Sequence, residues 1–155
     1  MDQSPLEGQR FRRVYEDNVD AIRRYCYRRI PASEVDDATT EVFMVVWKRF
    51  DSVPDGENTL PWIFGVARNV IRNHDRSVRR RGRLTAKLGS LPTQTGPSAE
   101  VQVIRRIEDE TMLDAVRSLK AADREILMLA AWEGLKPCEI AAALGIDPHA
   151  ASMRL

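Results

Sequence analysis

The sequence predicts an all-α protein built of two small helical domains joined by a flexible linker. Three observations predict it. Apolar residues recur at i, i+3, i+4 and i+7 through the long segments, the spacing of helices that bury one face. The stretch LGSLPTQTGPSAE, residues 88–100, mixes Gly, Ser, Pro and Thr without periodicity; thirteen such residues span ~20 Å as a flexible coil. Towards the C-terminus Pro137, Ala141, Gly145 and Asp147-Pro148 follow in the order of two short helices crossing at a tight turn. The boundaries are therefore placed at 1–87, 88–100 and 101–155.

Taken in order, Phe11, Val14, Tyr15, Ile22, Cys26 and Ile30 line one face of a first helix, from about Arg10 to Ile30. The arginines between Arg12 and Arg29 lie largely off that stripe, and Pro31 ends the helix. Ser33 is the candidate cap of a second helix, with Val35, Ala38, Val42, Val46 and Phe50 on its inner arc. Asp51 to Asn58, DSVPDGEN, has the composition of a turn. In the third helix, Leu60 to Leu84, Ile63, Val66, Ala67, Val70 and Ile71 form the buried arc. After the linker, Ile104, Ile107, Leu113, Val116 and Leu119 mark a helix from near Val101 to near Lys120. Another, Asp123 to Glu133, carries Ile126, Leu127, Leu129, Ala130 and Trp132 and stops at Gly134. Pro137 opens a short helix with the small Ala141 at its crossing point, and Asp147 caps the last one, with Pro148 at its first position.

Charge is segregated along the chain. The formal net charge is only +1, yet between Arg68 and Lys87 eight basic residues face a single acid, Asp75. On the third helix Trp62, Asn69, Asn73 and Arg80 are spaced by seven, four and seven residues, with Arg76 only slightly off the line. Arginine contacts phosphate, an aromatic ring stacks on an unpaired base, and Asn hydrogen-bonds a base edge, so the line suits a nucleic acid with exposed bases. The plainer alternative is a solvated basic face with Trp62 closing the core. The second helix has its own odd outer face, because Asp37 and Glu41 are like charges at i, i+4 with Met44 just beyond. A basic helical surface would neutralise the acids and cover Met44; the alternative is again a solvated face.

Other chemistries lack their residues. Cys26 and Cys138 are far apart, no CxxC is present and His74 and His149 are the two histidines, so neither zinc nor a disulfide framework is indicated and a reducing cytosol fits. Cys138 is expected to be a packed apolar residue, with a redox sensor as the alternative. The N-terminus has no apolar h-region, and no run approaches the ~18–20 apolar residues of a membrane span. A cytoplasmic protein without membrane contact, cofactor, metal or catalytic site is expected; no phosphate loop, HExxH or GxSxG occurs.

The two halves together resemble one family, the sigma-70 family of bacterial RNA polymerase initiation factors, in its compact extracytoplasmic-function group. The carrying segments are VDDATTEVFMVVWKRF (Val35 to Phe50) and LPWIFGVARNVIRNHDR (Leu60 to Arg76), which look like the family's core-binding and promoter-melting regions. LDAVRSLKAADREILMLAAWEGLKPCEIAAALGI (Leu113 to Ile146) looks like its region four. The resemblance implies that Asp36, Asp37, Glu41 and Met44 face the coiled coil of the polymerase largest subunit. It implies that Trp62, Asn69, Asn73, Arg76, Arg79, Arg80 and Arg81 meet the unwound minus-ten element. It further places His149, Ser152, Met153 and Arg154 at the minus-thirty-five duplex, and implies core polymerase, promoter DNA and an anti-sigma protein as partners. The family continues the recognition helix for a turn or two beyond the position of Leu155. A frayed last turn, supported by Ile146, Ala151 and Leu155, and weak binding to an isolated minus-thirty-five duplex are therefore expected. Two other readings compete: a dimeric helix-turn-helix repressor or activator that never touches polymerase, and an all-helical adaptor that binds proteins only. Neither uses both the acidic face and the Trp62 line.

Overall fold

The structure, a computed structural model, describes residues 5–87 and 110–155; of 81–87 and 110–113 it describes the backbone alone. The linker 88–100, the helix start near Val101 with Ile104 and Ile107, and the side chains of Arg81 and Leu113 lie outside the described residues.

Seven α-helices are described: α1 Pro5–Tyr27, α2 Val35–Lys48, α3 Thr59–Lys87, α4 Glu110–Ser118, α5 Ala121–Ala131, α6 Pro137–Leu144 and α7 Pro148–Met153. Helix α1 begins earlier than its apolar stripe because Pro5, with its fixed φ, suits a first helical position. Ser33 does not cap α2. It sits inside a single 3-10 turn, Ala32–Glu34, so Glu34 precedes α2 without a side-chain capping bond. Helix α2 ends at Lys48, and Phe50 reaches the core from the following turn.

Helices α1, α2 and α3 pack pairwise, and every residue of the expected inner arcs of α2 and α3 is buried. Tyrosines on α1 depart from expectation. Tyr15 is 41% exposed while Tyr25, one turn past Ile22, is 1% exposed. A buried tyrosine needs a partner for its hydroxyl. Tyr25 has one 100 residues away, donating to Glu125 Oε1 at 2.9 Å, and no local pattern could reveal it. The buried Asn18 and Thr39 are satisfied within their own helices, Asn18 Nδ2 donating to Val14 O and Thr39 Oγ1 to Val35 O, both at 2.7 Å.

Cys26 is fully buried, and burial pushes its thiol from its ordinary 9.0 up to about 11. Between those values the unfolded chain loses the proton first, so stability is intact below the window and falls as pH rises through it. The separation corresponds to about 2–3 kcal/mol at its upper end. Urea midpoints are expected to drop between about pH 8 and about pH 10.5, and Cys26→Ala to reduce the drop without abolishing it. The remainder belongs to Tyr25, whose hydroxyl burial also pushes upward.

In the C-terminal unit α6 opens with Pro137, and the Glu139 carboxylate accepts from the Lys136 N–H at 2.7 Å. Gly145 closes α6 with φ +66, a left-handed conformation that glycine adopts without penalty. Asp147 Oδ1 then accepts from the N–H groups of His149, 2.8 Å, and Ala150, 3.3 Å. Asp147→Ala is expected to cost about 1 kcal/mol, read as a lowered thermal midpoint. Ala151 is buried and Ile146 partly so, whereas Leu155 is 53% exposed. Cys138 is likewise exposed instead of packed, because Ile140 and Ala141 take the inner face of α6.

Candidate nucleic-acid interface

Helix α3 carries its two stripes side by side. The core stripe, Ile63, Val66, Ala67, Val70 and Ile71, fixes its rotation, and the polar line follows from helical geometry. Asn69, Asn73, Arg76 and Arg80 are exposed along that line, Arg79 is exposed beside it, and Trp62 is half-buried at its start. Trp62 packs against the core while the Arg49 guanidinium lies 5.6 Å from its ring centroid, so one aromatic both closes the bundle and borders the basic face. Sequence reasoning missed Arg49; its place one residue past α2 makes no pattern with α3 until the two helices pack.

Trp62 and Asn69 also border a crevice of about 220 Å³, whose other wall is Ala142 to Gly145 from the end of α6. Asn73 and the arginines beyond it do not line this crevice. A second cleft, about 580 Å³, opens between α3 and α5, with Arg68 and Arg72 on one side and Ala121, Ala122 and Met128 on the other. The basic residues of α3 thus divide between a face open to solvent and a cleft shared with the C-terminal unit.

The acidic face lies on α2. Asp36, Asp37 and Glu41 are exposed, and Asp36 Oδ1 is 2.8 Å from Arg23 Nη2 of α1. Met44, 54% exposed, lines an apolar groove of about 610 Å³ between α1 and α2 with Phe11, Tyr15, Thr40, Phe43 and Trp47. The exposed tyrosine is explained here: Tyr15 stands edge-on to Phe43, centroids 4.8 Å apart, on the groove wall. Its signal in the sequence, an aromatic at helical spacing from Phe11, is the same as that of a core residue. On α7 His149, Ser152 and Met153 are exposed, as is Arg154 just past its end, with Arg154 Nε 3.8 Å from Asp123 Oδ1. They stand apart from the crevice residues of α3.

Comparison with known proteins gives these faces a context. Residues 14–82 match the model of sigma-70 region 2, which takes in α2 and the Trp62 to Arg80 line. The ECF RNA polymerase sigma factor BldN of Streptomyces coelicolor is 28% identical over 141 residues, covering 90% of this chain and 53% of that protein. The chain therefore spans about half the length of that relative. The RNA polymerase sigma factor CnrH of Cupriavidus metallidurans is 29% identical over 133 residues, covering 81% of this chain and 70% of that one. Among solved structures, the sigma factor RpoE of Bartonella quintana, crystallised with the anti-sigma factor NepR, has the same fold. Its TM-score is 0.61 at 22% identity, with 95% of this chain and 90% of that one covered.

Proposed function

We propose that this chain, which belongs to the extracytoplasmic-function group of the sigma-70 family, binds core RNA polymerase and directs it to promoters, opening the DNA at the minus-ten element. The observation that carries this reading is the polar line of α3, where Trp62, two amides and exposed arginines share one face beside the core stripe. Guanidinium groups hold phosphates by charge, and the amides and the ring address bases that are no longer paired. On this reading Asp37, Glu41 and Met44 of α2, with the apolar groove behind Met44, dock on the polymerase, and Asp36 joins them once Arg23 gives way. His149, Ser152 and Met153 of α7, with Arg154 just after it, approach the minus-thirty-five duplex.

The protein works in the cytoplasm beside its polymerase and catalyses nothing itself. Among the described residues no helix is long and apolar enough to cross a membrane. An anti-sigma protein is proposed as a further partner, since the sigma factor of like fold was solved with one. The dimeric repressor reading lacks a use for the acidic face of α2. Pull-down with core polymerase followed by promoter-dependent transcription tests the proposal: capture together with start-site-specific transcripts supports it. A chain that binds promoter duplex but never captures polymerase would return the repressor.

A further inference from the structure

The cleft of about 580 Å³ between α3 and α5 collects guanidinium groups that the polar line of α3 does not use. Five arginines line it against two carboxylates, Asp75 and Glu125. Three of the five are held by the protein itself. Arg28 Nη1 is 2.9 Å from Glu133 Oε1, and Arg29 Nη1 is 3.3 Å from the same oxygen. Arg124 donates to the carbonyl oxygens of Val116, Arg117 and Leu119, closing the end of α4. The other two, Arg68 and Arg72, stand one turn apart on α3 and make no hydrogen bond or ion pair among the described residues. Arg29 also keeps a donor in reserve: its side chain is 7% exposed, and its Nε is buried without a hydrogen-bond partner among the described residues. A buried donor left unpaired costs free energy that an acceptor would recover.

Helix α5 supplies the opposite wall. Its first two residues, Ala121 and Ala122, border the cleft, and Lys120 precedes them without a side-chain capping bond. A helix start with uncapped N–H groups favours an anion, and guanidinium groups bind phosphate oxygens through paired hydrogen bonds. The two walls are set at a fixed spacing. Glu133 ties the end of α5 to Arg28 and Arg29, and α6 packs on α3 so closely at Gly65 that a Cβ there would lie 2.6 Å from the carbonyl oxygen of Ala143. The rest of the lining includes the apolar Ile71 and Met128, and a thioether packs favourably on an aromatic ring. The volume exceeds what a lone phosphate needs and falls in the range of small-molecule sites, ~300–1,000 Å³. We infer that this cleft binds a nucleotide carrying at least two phosphates, which lie between Arg68, Arg72 and the start of α5, with the base against Met128. Trp62, Asn69, Asn73, Arg76, Arg79 and Arg80 do not line it, so the site is distinct from the line proposed for the melted strand.

Isothermal titration calorimetry on the full chain tests this with ADP, inorganic pyrophosphate and a single-stranded DNA of randomised sequence as probes. ADP is expected to bind one to one and more tightly than pyrophosphate, because its base adds the contact with Met128. Arg68→Gln with Arg72→Gln removes both unpaired guanidinium groups. Ala122→Asp puts a carboxylate at the edge of the cleft, and an acid in a first helical turn favours the helix, so the fold is kept. Each change is expected to weaken ADP binding at least about tenfold, with helicity by circular dichroism unchanged. Arg13→Gln with Lys48→Gln deletes as much charge from exposed positions outside the cleft and should leave ADP binding as it is. No heat from ADP or pyrophosphate at millimolar concentration overturns the site, and so does a control pair that loses as much affinity as the Arg68 and Arg72 pair. Equal affinity for the two phosphate probes overturns the base contact. A strand that displaces ADP and is itself weakened by Ala122→Asp as much as ADP is would give the cleft to DNA and overturn the small ligand.

Discussion

Asp37→Lys combined with Glu41→Lys is expected to abolish capture of core polymerase while leaving the helical content unchanged. Both carboxylates are exposed on one face of α2, one turn apart, and neither is needed to hold the bundle together. Two negative groups at i, i+4 repel each other mildly, so the face is more at ease against a positive partner than in water. Reversing both charges turns two attractions into two repulsions. Close charge pairs at protein interfaces couple by about 1.5–7 kcal/mol each, so a loss of at least about a hundredfold in affinity is expected. The fold suffers little: Asp37 is in the first turn of α2, where a lysine faces the positive end of the helix dipole at a cost of about 0.3–1 kcal/mol. Circular dichroism separates the two effects, and binding within a few fold of wild type would sink the assignment of this face. Met44→Ala, which empties part of the groove lip without changing charge, should weaken capture less.

Asn69→Ala and Asn73→Ala are expected to relax base preference in melted DNA by about 1–3 kcal/mol at one position each. Arg76→Ala or Arg79→Ala should instead weaken all sequences alike and flatten the dependence of log affinity on log salt by about one. The contrast follows from chemistry: an amide pairs a donor and an acceptor with a particular base edge, while a guanidinium meets phosphates that are alike along the strand. All four side chains are exposed, so none of these changes disturbs the core. Competition between strands of defined sequence, each at two salt concentrations, distinguishes the classes. Uniform weakening by the Asn changes would make the line a phosphate track and nothing more.

Whatever depends on neighbours along one helix was legible in the sequence. The buried arcs of α2 and α3, the Pro137 start of α6, the Gly145 turn and the Asp147 cap all follow from periodicity or from the conformational needs of single residues, and the structure has each of them. So does the exposed line from Asn69 to Arg80, because a core stripe fixes the rotation of a helix and with it every other face. Local reasoning failed where a residue's partner was remote. Tyr15 and Tyr25 are equally plausible core residues of α1 by spacing; Tyr25 lies in the core against Phe64 with its hydroxyl satisfied by the remote Glu125, while Tyr15 stands on the wall of an open groove against Phe43. Ser33 has the chemistry of a cap, but the turn after Pro31 leaves it one residue short of the capping position, which Glu34 takes.

The relation between the two units was decided by tertiary structure alone. Composition allowed a spacer long enough to hold them apart, and nothing in the order of residues says that Glu133 will lie between Arg28 and Arg29 or that the end of α6 will settle on Gly65. A glycine inside a helix carries no periodic signal, and an ion pair across a hundred residues has no spacing to read. Helix, turn and cap are short-range consequences of covalent geometry, which each segment carries with it. A contact between distant segments is chosen by shape and by the cost of leaving buried charges unpaired, and these exist only once both surfaces have formed.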